Sequence, residues 1–121
     1  MFSKRTIIVG VLSCLLLTGC SVVSKILPDK VATNVLSGRE GSNGPVLVVK
    51  IDDTTQAHPQ IGLEDADIVY IEQVEGGLTR LAAVFSSVVP QRIGPVRSAR
   101  ISDIEIMSQF GRVAFAYSRS E

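Results

Sequence analysis

One apolar run most constrains how this chain folds. Residues 46–51 read Val-Leu-Val-Val-Lys-Ile, which is mostly β-branched and carries a single charge at Lys50. β-branched side chains suit the pleated, packed surface of a strand. Gly44-Pro45 precedes the run and Asp52-Asp53 follows it, and residues of these types interrupt regular structure. The run therefore predicts a largely buried first strand.

A hairpin is predicted downstream of this strand. Residues 67–74 and 78–86 both have the composition of strands, and Glu75-Gly76-Gly77 lies between them. Paired glycines accept positive φ at little steric cost and therefore favour a tight turn. A loop at residues 54–60 and one helical turn at residues 62–66 are expected to precede the hairpin.

The remaining pattern predicts one main helix and a last strand. Apolar residues recur at helical spacing within residues 98–110, with Ser98 suited to the N-cap and Gly111 to the stop. Residues 112–117 then alternate like a strand. The expected fold is α+β, with a small sheet of about four mostly antiparallel strands, and the ferredoxin-like split βαβ arrangement has the same element order.

The N-terminus has the pattern of a secretory signal peptide. Two basic residues precede an uncharged apolar stretch at residues 7–17, which is shorter than the roughly 20 residues of a spanning helix. The order Leu-Thr-Gly-Cys then ends at Cys20 and resembles the lipobox of bacterial lipoproteins. The thiol of such a cysteine carries a diacylglyceryl group, and two acyl chains such as palmitate give stable anchoring. The alternative is an uncleaved apolar helix with an incidental cysteine.

These patterns divide the chain into a signal peptide at residues 1–19, a lipidated Cys20 with a tether at residues 20–44, and an α+β domain at residues 45–121. A folded part of this size is marginally stable alone, which suggests that it is incomplete or relies on a partner.

Composition excludes several classes of function. The 12 basic and 12 acidic residues balance, which argues against nucleic-acid binding. Cys14 lies within the signal peptide, so the mature chain has no cysteine pair for a disulfide. His58 is the single histidine, which rules out a multi-histidine metal site. We expect no metal and no cofactor.

An arginine-rich turn is the first candidate site. Residues 92–100 contain Arg92, Arg97 and Arg100 around Gly94-Pro95. Arginine binds carboxylate or phosphate in a bidentate manner, so Arg97, Arg100, Ser98 and Arg80 form a candidate anion site. The alternative is that these arginines neutralise the acidic residues that lie between positions 51 and 75.

A group of acids is the second candidate site. Asp52 and Asp53 end the first predicted strand, Glu72 lies in the second, and Glu75 opens the predicted turn. Carboxylates at a strand end can hold Mg²⁺ or Ca²⁺, and paired carboxylates carry out glycoside hydrolysis. Neighbouring residues on a strand point to opposite faces, however, so only one of Asp52 and Asp53 can face a given site. Solvated acids and salt bridges are the favoured interpretation of this group.

Five segments together resemble the YerB-like lipoproteins, a family catalogued as a domain of unknown function. They are residues 34–38, 45–54, 66–70, 74–80 and 93–100. The resemblance implies an extracytoplasmic lipoprotein without an assigned activity. It also implies that the chain corresponds to a truncated N-terminal part, because members are usually several times longer.

The leading hypothesis is a membrane-anchored binding or scaffold domain of the cell envelope. Its partner would be an anionic wall polymer or an envelope protein. The alternatives are an envelope glycan hydrolase that uses the carboxylates, and a truncated fragment without function.

Overall fold

The computed structural model describes residues 31–119, which include nearly all of a compact unit that starts at Ala32. Its strands are β1 (Val46–Asp52), β2 (Ile68–Gln73), β3 (Thr79–Phe85) and β4 (Val113–Ala116), and its helix is α1 (Asp103–Ser108). Short 3₁₀ turns lie at Thr55–Ala57, Leu63–Asp65 and Glu75–Gly77. Within the described residues, no helix has the length and apolar character needed to cross a bilayer.

The strands form one mixed sheet in the order β2-β3-β1-β4. β3 pairs antiparallel with β1 and with β2, whereas β4 runs parallel to β1. The hairpin turn between β2 and β3 places Gly76 and Gly77 at φ of 74° and 73°. The predicted α+β fold is confirmed, with one parallel pairing beside the two antiparallel ones.

Both faces of the sheet are covered. On the loop-side face, Val49 and Ile51 of β1 pack with alternate residues of β3 and with Leu63 from the β1–β2 connection. On the helix-side face, Val48 packs with Ala82 and Val84 of β3 and with Ile106 of α1. Burial on both faces explains why β1 is an almost continuous apolar run and lacks polar alternation.

The ordered domain begins upstream of residue 45, within the segment that the sequence suggested as tether. Asn34 is 1% exposed, and its side chain donates to the Ser42 carbonyl and accepts from the Leu36 N–H. Leu36 packs on the helix-side core. Residues 32–44 are therefore part of the folded unit.

Asp67 joins this upstream segment to the end of β3. Its carboxylate accepts hydrogen bonds from the hydroxyls of Ser37 and Ser87 and from the N–H groups of Ser86 and Ser87, all at 2.6–2.7 Å. Burial alone would raise the pKa of Asp67, but these hydrogen bonds to the charged form outweigh it and lower the pKa to about 2.

The helix is shorter than predicted, because the residues before it pair as extended chain. The Arg97 N–H donates to the Lys50 carbonyl at 2.9 Å, and the Ala99 N–H donates to the Arg119 carbonyl at 2.7 Å. Ser98 is buried in this pairing and is not the N-cap; α1 begins at Asp103. Gly111, at φ of 73°, follows the end of α1 as the sequence predicted.

Candidate functional site

The candidate site lies on the helix-side face of the sheet. There the strands carry charged residues next to the apolar core. The strand register places Asp52 of β1 opposite Arg80 of β3, and Arg80 opposite Glu72 of β2. Two residues before Asp52, on the same face of β1, Lys50 lies opposite Ala82. Cross-strand neighbours share a face and lie close enough for their side chains to interact. A row of opposite charges therefore crosses the sheet beside the core.

Lys50 is at the centre of this charged region and is fully buried. Its ammonium contacts the Glu72 carboxylate and lies 2.7 Å from Asp103 Oδ1. Ala82 leaves room for Lys50 to reach diagonally across β3 toward Glu72. Because a buried charge needs such partners, this triad is a structural feature of the core. We call Lys50, Glu72 and Asp103 the lysine triad.

The protonation of Lys50 reflects its surroundings. Burial lowers the pKa of Lys50, because the charged ammonium loses water. The hydrogen bond and the negative charge of Asp103 oppose this effect, whereas the charges of Arg80 and Arg100 add to it.

Asp103 also determines where α1 begins. Its Oδ2 accepts a hydrogen bond from the Arg100 N–H at 2.6 Å, and its own N–H donates to the Arg100 carbonyl at 3.1 Å. This reciprocal pair closes the turn before the helix. The lysine triad thereby attaches the first turn of α1 to β1 and β2.

The structure assigns different environments to the predicted anion-site residues. Arg80 is 8% exposed and donates to the buried Ser98 carbonyl at 3.0 Å, so both lie beneath the surface. The Arg97 side chain is 47% exposed, and its Nε is 3.6 Å from Asp52 Oδ2. Arg100 donates to Glu75 at 3.0 Å. Of the predicted set, Arg97 and Arg100 are the residues whose side chains reach the surface.

The predicted acids have different partners. Asp52 and Asp53 point to opposite faces, as their adjacent positions predicted: Asp52 approaches Arg97, and Asp53 accepts from the Thr79 hydroxyl. Glu75 is paired with Arg100 at the surface. Glu72 and Asp103 converge, but on the Lys50 ammonium and away from solvent. Asp52 and Glu75 therefore each lie beside an arginine, whereas the partners of Asp53 include Thr79 and His58.

His58 lies on the loop-side face, near the other oxygen of Asp53. Its Nε2 is 3.2 Å from Asp53 Oδ1, and Gln60 donates to the same oxygen at 3.2 Å. His58, Pro59 and Gln60 border an open hollow of 540 Å³. In the described part of the chain, no three His, Cys, Asp or Glu side chains are grouped as metal ligands.

Sequence reasoning missed the lysine triad and the hydrogen bonds that converge on the Asp67 carboxylate. The signal for the triad was a lysine inside a run that is otherwise apolar, since such a lysine needs a buried partner. Its partners come from β2 and α1, which lie far along the chain. The sequence alone could not identify them.

Comparisons with known proteins place the chain among relatives. A family described as "Protein of unknown function (DUF3048) N-terminal domain" matches residues 32–121. The protein named "Putative lipoprotein YerB" of Bacillus subtilis (strain 168) is 42% identical over 69 residues, which are 57% of this chain and 20% of that protein.

A solved structure agrees with these matches. The crystal structure of the YerB protein from Bacillus subtilis superposes with a TM-score of 0.69 at 31% identity. The superposition covers 74% of this chain and 32% of that one, so the chain spans less than half of the relatives described here. The match over residues 32–121 shows that the chain belongs to the DUF3048 family, that of the YerB-like lipoproteins, and contains its N-terminal domain.

Proposed function

We propose that this protein is a lipid-anchored component of the cell envelope that binds an anionic partner through Arg97 and Arg100. Two features support the location. The Leu-Thr-Gly-Cys motif ends at Cys20, outside the described residues, and the Bacillus subtilis relative is named as a lipoprotein. Once acylated at Cys20, the domain would remain beside a membrane.

The observation that carries the binding role is the state of Arg97. Its guanidinium is half-exposed, and its contact with Asp52 is longer than an ordinary hydrogen bond at 3.6 Å. Such a group can engage a phosphate or carboxylate without first breaking a buried ion pair. Arg100 belongs to the same turn, while Arg80 supports that turn from below through the Ser98 carbonyl.

Immobilised inorganic polyphosphate tests this role. We expect the Arg97→Ala variant to bind several-fold more weakly than the wild-type chain, and both affinities to fall as salt rises, because the contact is between exposed charges. Arg92→Ala is the matched control, since Arg92 is also exposed and lies on the same arginine-rich segment. If the two variants bind equally, Arg97 has no specific role.

A further inference from the structure

An apolar hollow of 220 Å³ lies between α1 and the end of β4. Its apolar lining consists of Ala99, Ile101, Ile104, Met107, Phe115 and Tyr117. Ile101 is 79% exposed, Ile104 58% and Tyr117 45%. Large apolar side chains grouped in this way on a surface mark a site of interaction with a partner or a membrane.

Arginines border this hollow. The Ser118 N–H donates to the Arg97 carbonyl at 3.0 Å, and the Ala99 N–H donates to the Arg119 carbonyl at 2.7 Å. The two segments therefore run side by side, which places Arg97 and Arg119 at the same edge as Tyr117. Arg97 and Arg119 are exposed, and Arg100 lines the hollow itself together with Asp103, whose carboxylate is paired with Lys50.

We propose that this surface, which we call the Ile101 patch, contacts anionic membrane lipid. Its aliphatic and aromatic side chains would enter the acyl boundary, and its arginines would meet the headgroup phosphates. Surfaces that combine aliphatic, aromatic and basic side chains bind at this depth of a bilayer. The proposal rests on the proposed function, because it names the anion that Arg97 meets as a lipid phosphate.

Charge favours lipid over a protein partner at this patch. Exposed apolar residues alone suit either occupant, but the bordering guanidinium groups match a dense sheet of phosphates. An acyl anchor at Cys20 would also keep the domain at a high local concentration beside such a surface.

The experiment uses the absence of tryptophan from the chain. Bromine atoms on lipid acyl chains quench the fluorescence of a nearby tryptophan. The extent of quenching of a single introduced tryptophan therefore reports whether that residue enters the acyl region of the bilayer. The acylated full chain is reconstituted in vesicles of brominated phosphatidylglycerol, with either Ile104→Trp in the patch or Val88→Trp outside it. The two positions are similarly exposed, at 58% and 50%. Ile101→Trp provides a second position within the patch.

We expect several-fold stronger quenching and a larger blue shift for Ile104→Trp than for Val88→Trp in the anionic vesicles. Vesicles of brominated phosphatidylcholine should quench the Ile104→Trp fluorescence less. Adding Arg97→Ala to the Ile104→Trp variant should reduce its quenching in the phosphatidylglycerol vesicles. Similar quenching at both positions, or none at positions 101 and 104, overturns the proposal and leaves a protein as the occupant of the patch.

Polyphosphate binding separates this result from the proposed function. If Arg97→Ala weakens polyphosphate binding while Ile104→Trp stays unquenched, the anionic partner is not lipid and the proposed function stands. If Ile104→Trp is quenched equally with and without the Arg97→Ala substitution on both lipids, the patch inserts without the arginine and the lipid-phosphate assignment is wrong.

Discussion

Two hydroxyls and two backbone N–H groups converge on the Asp67 carboxylate, and this one residue joins three parts of the chain. Ser37 belongs to the upstream segment, Asp67 precedes β2, and Ser86 and Ser87 follow β3. The Asp67 side chain is fully shielded from solvent, and these donors and the nearby Arg39 stabilise its charge.

The Asp67→Asn substitution should therefore destabilise the domain by about 2 kcal/mol, because an amide has one acceptor oxygen and its NH₂ faces the N–H donors. Urea unfolding at neutral pH measures this loss. Glu64→Gln is the control, since Glu64 is exposed on a neighbouring turn and its replacement should change the free energy of unfolding by less than about 0.5 kcal/mol.

Asp67 should also account for part of the domain's loss of stability at acidic pH. Its pKa falls from 3.8 to about 2 on folding, so the folded state binds this proton less readily than the unfolded state. The contribution of Asp67, about 2 kcal/mol, is complete above the unfolded pKa and is lost as pH falls through the folded pKa. The wild-type curve of stability against pH should drop more between pH 4 and pH 2 than that of Asp67→Asn. Parallel curves would contradict this assignment.

At the scale of elements, the lysine triad holds α1 on the sheet. α1 has six residues, and a helix of that length is not stable on its own. Ile106 and Met107 supply its apolar contacts, and Asp103 joins its first turn to Lys50. The short helix therefore depends on tertiary contacts with β1 and β2.

Replacing Lys50 tests this dependence. Lys50→Met should cost roughly 3–5 kcal/mol, because it removes the ammonium that the buried Glu72 and Asp103 carboxylates both contact. The triple variant Lys50→Met, Glu72→Gln, Asp103→Asn should recover much of this loss, since it removes the stranded charges. Chemical denaturation of both variants gives the two values.

Arg112→Met serves as the control for this series, because Arg112 is an exposed cation next to β4. It should change the free energy of unfolding by less than about 0.5 kcal/mol. A small effect of Lys50→Met alone, comparable with this control, would mean that water or other cations reach the two carboxylates.

At the scale of the whole molecule, the predicted membrane location depends on Cys20. Expression in bacteria fed a radioactive fatty acid should label the wild-type chain. The Cys20→Ser variant should lose the label, because acylation takes place on the cysteine thiol. Cys14→Ser is the matched control and should keep the label, since Cys14 lies in the segment that cleavage of the predicted signal peptide would remove. Label that persists in Cys20→Ser would show that another residue is acylated.

Local signals predicted much of the fold. Strand-like composition and alternation located each of the four strands in the described residues to within one residue, and the paired glycines located the hairpin turn, because these preferences act over a few neighbouring residues. The helix was overextended toward its N-terminus. Its apolar spacing is real, but the N–H groups of Arg97 and Ala99 pair with distant carbonyls. Tertiary pairing therefore overrode the local propensity.

For the candidate site, the sequence identified the arginine-rich turn but could not assign roles within it. Strand register put Arg80 beneath the surface and left Arg97 half-exposed, and register depends on contacts between strands that are distant along the chain. The same holds for Asn34. The sequence predicts that it belongs to a tether, but its side chain donates to the Ser42 carbonyl and to the Ser86 hydroxyl within the folded unit.

By itself, the sequence determined the element types, the lipobox-like motif and the family, because each is a property of adjacent residues or of short motifs. Only the tertiary structure decided that Lys50 lies between Glu72 and Asp103, that the domain starts at Ala32, and that Ile101, Ile104 and Tyr117 line one hollow together with Arg100. These arrangements join residues far apart in the chain, and their positions depend on how the sheet is paired and covered.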